Sequence, residues 1–144
     1  MRLVPYDPVR MAPGPVQALL AEAAFPPTAD RAAALLAATY TRPKVTLYLV
    51  YEAQELVGLI GLHRTGRDRG EVTHIAVQPG RRRQGVGRSM LLELRHHLGL
   101  RELVAETDGE SLGFYRRCGF EVRSLGETYP GVERFHCRLT GPPV

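Results

Sequence analysis

Apolar positions change period several times along this 144-residue chain, and each change marks an element. Arg2 to Tyr6 reads as a short strand. Val16, Leu19, Leu20 and Ala23 then recur at helical spacing behind Pro13 and Pro15, whose missing N–H groups cost nothing in a first turn, and Pro26 with Pro27 is expected to end the helix. A second helix is predicted from about Ala29, capped by Thr28, with Leu35, Leu36 and Tyr40 turned inward. From Val45 the run VTLYLVYE is β-branched and aromatic, which predicts a buried strand. Ala53 to Glu55 predicts a turn and Leu56 to Leu62 the antiparallel partner, in which Gly58 and Gly61 point to a bulge or a close backbone approach. The segment TGRDRG is expected to be a polar loop, and Glu71 to Val77 the next strand.

That strand runs into the most informative turn of the chain. Pro79 and Gly80 break it, Arg81, Arg82 and Arg83 follow, and after Gln84, Gly85, Val86 and Gly87 the residues Met90, Leu91, Leu94 and Leu98 recur at helical spacing up to a stop at Gly99. Orphaned N–H groups at a helix start beside fixed positive charge make an anion site. Glu102 to Thr107 is predicted as a further strand, parallel to Glu71–Val77 because crossovers of this kind are right-handed. Ser111 to Cys118 predicts a short helix. Phe120–Ser124 and Glu133–Leu139 predict a closing hairpin with a long connection through Tyr129, Pro130 and Gly131, and the GPPV tail is expected to fray.

Composition narrows the class. The length fits one domain spanning residues 1–144, and 44% apolar residues suffice for a core. No apolar run approaches the roughly 20 residues of a membrane span, and MRLVPYDPVR lacks the apolar stretch of a secretory signal. Cys118 and Cys137 are the only cysteines, too few for a disulfide framework and not spaced as metal ligands, which points to a reducing, cytoplasmic compartment and no metal. The net charge of +4 favours an acidic partner. Lys44 is the only lysine, an arginine bias that genomic base composition can produce as well as phosphate recognition can. The cluster from Arg81 to Arg88 differs, because it coincides with the glycine turn.

Arg82, Gly85 and Gly87 occupy the pattern of Gln or Arg, two residues, Gly, one residue, then Gly or Ala; Val77 and Pro79 precede it and FYRRCGFEV follows downstream. On these two signatures, and on the order of elements over nearly the whole chain, the sequence resembles the GNAT superfamily of acyl-CoA N-acyltransferases. The resemblance implies an α/β fold of mixed layers: a mixed, mostly antiparallel sheet of six to seven strands, splayed at its parallel pair and flanked by about four helices. It implies acetyl-CoA as co-substrate and a small-molecule or peptide amine as acceptor, in a monomer or homodimer without membrane or metal. The N–H groups of Arg83, Gln84, Gly85, Val86, Gly87, Arg88 and Ser89 would surround the pyrophosphate, and the side chains of Arg82 and its arginine neighbours would reach the 3′-phosphate or stay solvated. Pantetheine would lie as a pseudo-strand along Ile75, Ala76 and Val77, with Ser111 and Phe114 touching the pantetheine or the adenine end. Asp108 departs from the usual Asn of the second signature and loses its amide donors while keeping the capping oxygens.

The implied chemistry is direct attack of an amine on a thioester in a ternary complex. Tyr115 is the family-matched acid for the leaving sulfur, against an alternative role in packing beside Phe114 and Phe120. Glu71 and His74 are rival bases, against a solvated carboxylate, a hydrogen-bonded imidazole and a water chain that drains the proton with no base; strict alternation would put 71, 73, 75 and 77 on one sheet face and 72, 74 and 76 on the other. Cys118 is expected to pack rather than attack. The acceptor pocket is expected between the first helices, the Gly66–Gly70 loop and the Tyr129 loop. Two competing readings are a non-catalytic CoA or acyl-CoA sensor and, with few aromatics to favour it, a nucleic-acid binder.

Overall fold

A computed structural model describes residues 1–143. Its sheet has seven strands in the order β1-β2-β3-β4-β5-β7-β6, formed by β1 (Val4–Pro5), β2 (Val45–Glu52), β3 (Glu55–Gly66), β4 (Arg69–Val77), β5 (Glu102–Asp108), β6 (Glu121–Tyr129) and β7 (Val132–Thr140). All neighbours are antiparallel except β4 and β5. The helices among the described residues are α1 (Pro13–Ala21), α2 (Ala29–Ala38), α3 (Val86–Leu98) and α4 (Leu112–Arg117), with 3-10 turns at Thr39–Thr41 and Pro79–Arg81. This is the expected mixed, mostly antiparallel architecture with one parallel pair. None of these helices is long and apolar enough to cross a membrane.

Two cores lie on opposite faces of the sheet. Met90, Leu91 and Leu94 of α3 pack with Ile60, Leu62, Val72, Leu103, Tyr115 and Phe120 on one side, while Val16, Leu19 and Leu20 of α1 and Leu35 of α2 cover Leu47, Leu49, Leu59 and Ala76 on the other. Thr28 caps α2 as expected, its hydroxyl accepting from Arg31 N at 3.1 Å. Gly99 ends α3 with a left-handed φ of 64°.

Four expectations need correction. The first helix stops at Ala21, well before the prolines, because the N–H groups of Glu22, Ala23 and Ala24 turn back to Leu19, Leu20 and Ala21 in i−3 bonds. TGRDRG is not a loop: β3 continues to Gly66 and β4 starts at Arg69, leaving only Arg67 and Asp68 at the tip. The Asp68 carbonyl accepts from Arg101 N and Glu102 N, which docks this hairpin onto the start of β5. Tyr129 likewise belongs to a strand, with Pro130 and Gly131 as the turn. The tail is held through Pro142, since the buried Arg95 guanidinium donates to the carbonyls of Gly141 and Pro142 at 3.0 and 3.4 Å; Val144 lies outside the described residues.

Candidate active site

The sheet opens at its parallel pair. β4 and β5 are paired only at Arg69↔Glu102, Gly70↔Leu103 and Glu71↔Val104, so the β4 edge from Val72 to Val77 has no strand beside it on that side. Within β4 the register against β3 jumps between Leu62↔Val72 and Gly61↔His74, leaving Thr73 as the extra residue of a bulge. Gly61 permits it: a Cβ there would run into the Tyr40 hydroxyl and Thr73 Oγ1.

At the end of that open edge lies the glycine turn. Among the described residues, no N–H group from Arg82 to Arg88 donates to a carbonyl or side chain. Ser89 N–H is different from the expectation, because it already bonds to Gly85 O at 2.9 Å. The two glycines serve separate ends. Gly85 has φ +80° with open space where a Cβ would project, so it supplies a conformation and an unobstructed approach. A Cβ on Gly87 would sit 2.9 Å from the Phe114 ring, so this glycine is needed for packing. Arg83, a non-glycine residue at φ 63°, adds a strained position next to the free N–H groups.

The arginines do not act as one cluster. Arg81 turns to Glu52 and Glu55 at 2.7 and 3.4 Å, and Arg82 lies 3.7 Å from Glu22 while its Nε donates to Val77 O at 3.3 Å. Arg83 and Arg88 have no ion pair among the described residues and are exposed beside the turn, as is Gln84. Val86 is buried, so its side chain belongs to the core and only its N–H is available. Ile75 and Val77 pack toward the α3 core and Ala76 toward the α1–α2 core, which leaves their backbone at the open edge.

Tyr115 is 5% exposed and sits edge-on between Phe114 and Phe120, with ring centroids 5.2 Å away in each case. Its hydroxyl has no hydrogen-bond partner among the described residues, yet it is not among the sealed polar atoms, of which Arg95 Nε is the only one described. The phenol therefore packs through its ring and reaches solvent through its oxygen. Burial raises its pKa well above the ordinary tyrosine value. Burial also pushes the Cys118 thiol up, against the pull of Arg88 and Arg117, so it is no activated thiolate. Asp108 Oδ1 accepts from Glu110 N at 3.0 Å and Ser111 N at 3.4 Å; this one oxygen orders the entry to α4, where Ser111 is exposed.

The other face holds what the sequence did not bring together. The bulge breaks the expected alternation, and the register sets Glu71 opposite His63 and His74 opposite Gly61, on the face away from Leu62 and Val72. Glu71, Thr73 and His74 thus share the α1–α2 face. Tyr40 joins them from the 3-10 turn, its hydroxyl 2.8 Å from Thr73 Oγ1 and 2.5 Å from His74 Nδ1. Burial, helped by the positive charge of Arg31, lowers the His74 pKa, and burial lifts that of Tyr40 to about 12. Across the splay, β5 presents Glu106 opposite His136 of β7. Tyr40 was legible as an inward residue of the second helical segment, but no local pattern ties it to His74. No group of three or more His, Cys, Asp or Glu side chains among the described residues is arranged to hold a metal.

Residues 43–122, more than half of the chain, match the family model described as the acetyltransferase (GNAT) domain. The chain belongs to the GNAT family. Among curated relatives, an uncharacterized N-acetyltransferase in the lysA 3′ region of Bacillus methanolicus is 33% identical over 72 residues, covering 50% of this chain and 58% of that protein. A mycothiol acetyltransferase of Mycobacterium sp. (strain JLS) is 36% identical over 87 residues, covering 51% and 29%. The chain thus spans about three-fifths of the first relative's length and under a third of the second's. A GNAT-family protein from Desulfovibrio desulfuricans superposes with a TM-score of 0.74 at 23% identity over 96% of this chain and 98% of its own. A GNAT acetyltransferase from Elizabethkingia anophelis with acetyl-CoA bound gives 0.69 at 21% over 97% of each. At these identities the superpositions establish the GNAT fold.

Proposed function

We propose that this chain, as one domain over residues 1–144, is an acetyl-CoA-dependent N-acetyltransferase that acetylates a primary amine by direct attack in a ternary complex. The observation that carries this reading is the pairing of two features on one strand: β4 loses its neighbour after Glu71 and ends at the free N–H groups of Arg82 to Arg88. An unpaired strand edge suits the amides of a pantetheine arm, and a helix start with unpartnered N–H groups suits a pyrophosphate. Arg83 and Arg88 are the side chains available to phosphate, while Arg81 and Arg82 are held by carboxylates.

Bound acetyl-CoA would supply an acyl group activated as a thioester. In this reading the open edge at Ile75 to Val77 orients the arm, and the splay aligns the thioester with an amine entering from the α1–α2 face. Tyr115 Oη donates a proton to the departing sulfur as the carbon–sulfur bond breaks and the carbon–nitrogen bond forms. The proton shed by the amine leaves through Glu71 or His74 on the entry face, and bulk water restores the phenol. The raised pKa of Tyr115 keeps its proton in place until the thiolate develops.

The test is thiol release from acetyl-CoA against a panel of primary amines, with acetyl-CoA binding followed in parallel. Amine-dependent thiol release is the expected result. Saturable binding without release for any amine would replace the enzyme by an acyl-CoA sensor, and no binding would remove both.

A further inference from the structure

Tyr40 links Thr73 and His74 through its hydroxyl, and the proton arrangement of this chain bears on what His74 can do. The Tyr40 hydroxyl has one proton and two neighbours: Thr73 Oγ1 at 2.8 Å and His74 Nδ1 at 2.5 Å. In one arrangement the phenol donates to Nδ1 and accepts from the threonine hydroxyl. In the other it donates to threonine and accepts from an Nδ1–H. A phenol is the most acidic donor of the three and a neutral imidazole nitrogen the most basic acceptor, whereas a phenol oxygen is a poor acceptor because its lone pair is shared with the ring. The first arrangement therefore pairs the best donor with the best acceptor.

We propose that Tyr40 holds His74 in its Nε2–H tautomer, so that His74 serves acetyl transfer as a neutral hydrogen-bond donor to an acceptor atom of the bound substrates and not as the base. The inference rests on the acetyl-transfer reading above, and it makes Tyr40 a positioning residue. Nε2 makes no hydrogen bond to a described residue and is not sealed from solvent, so its N–H is free to be used. The thioester carbonyl is the oxygen that gains charge during amine attack, and a fixed donor there is worth most when the charge develops. Of the charged and titratable groups, Arg31 on α2 and Tyr40 on the 3-10 turn act on His74, and Glu71 shares its strand and face. Burial and Arg31 both oppose an imidazolium, in keeping with a neutral ring. The raised pKa of Tyr40 keeps the donated proton on its oxygen. Proton removal then falls to Glu71 or to water.

Imidazole 15N–1H correlation spectra of the labelled full chain near pH 8 read the tautomer without any assay. The expected wild-type spectrum shows His74 protonated at Nε2, and Tyr40→Phe, which keeps the ring and deletes the donor, brings in the Nδ1–H form. A wild-type Nδ1–H tautomer, or a tautomer indifferent to Tyr40→Phe, overturns the proposal. Kinetics supply an independent arm. His74→Ala is expected to lower kcat by about a hundredfold, and His74→Gln, which keeps an N–H donor without basicity, to recover most of that loss with the acidic limb of the pH profile intact. Equal losses in both variants, with the acidic limb gone, would make His74 the base. Should no amine be acetylated, the functional reading fails while the spectrum still decides the tautomer.

Discussion

The two sides of the splayed sheet are built from different material. On the α3 side the polar groups are main-chain N–H groups of consecutive residues, Arg82 to Arg88, aimed by one left-handed glycine. On the α1–α2 side they are side chains gathered from Tyr40, Glu71, Thr73 and His74, and they meet because a bulge at Thr73 turns adjacent residues to the same face. The first kind of site tolerates most side-chain changes and fails when the backbone is bent. The second is expected to fail one side chain at a time. Tyr115 belongs to the α3 side, with its ring in that core and its oxygen at solvent.

The largest effect should come at Tyr115. Tyr115→Phe preserves both edge-on ring contacts and removes the proposed acid, so kcat should fall by about a hundredfold or more while acetyl-CoA affinity and thermal midpoint stay put. Unchanged turnover would leave Tyr115 as packing alone.

The two glycines sharpen the contrast inside the backbone site. Gly85→Val places a β-branched residue at φ +80°, costs roughly 1–2 kcal/mol of strain, and should weaken acetyl-CoA binding at least tenfold by calorimetry. Gly87→Ala crowds the Phe114 ring, and its main cost should be overpacking of about 1–3 kcal/mol in a denaturant melt. If both variants lose affinity alone, the distinction between approach and packing is wrong.

Smaller effects separate the charges. Glu71→Gln should abolish the acidic limb of kcat/KM if that carboxylate takes the proton, and an unaltered limb would assign it to water. Arg83→Ala should weaken acetyl-CoA binding and lessen its salt dependence. Arg81→Ala should leave affinity alone and change stability by less than about 1 kcal/mol, since its ion pairs with Glu52 and Glu55 are solvent-exposed. The smallest effect is alkaline. Tyr40 is raised from 10.0 to about 12 in the folded chain, so its contribution to stability is full below pH 10 and is lost as pH rises through about 12. Tyr115 is shifted in the same direction. Tyr40→Phe should therefore flatten part of the stability loss between pH 10 and 12.

What could be read from the sequence follows the same division. The strand, turn and helix from Glu71 to Gly99 were legible because each signal is local: a break at Pro79 and Gly80, helical spacing of Met90, Leu91 and Leu94, and a glycine stop. The resemblance of Arg82, Gly85 and Gly87 to a known signature agrees with the matched family. TGRDRG and the Tyr129 segment read as loops in the sequence because polar residues at the far ends of long hairpins look the same as loop residues until strand pairing is known. The Tyr40–His74 contact was hidden for a stricter reason. It joins positions 34 residues apart and depends on a bulge, and one inserted residue inverts every alternation argument beyond it.

Amide hydrogen exchange with and without acetyl-CoA tests the central claim most directly. Binding of the co-substrate should slow exchange at Arg82 to Arg88 and along Ile75 to Val77, the N–H groups without partners and the open strand edge. Acetyl-CoA binding that leaves these amides unprotected, or no binding at all, would contradict the account.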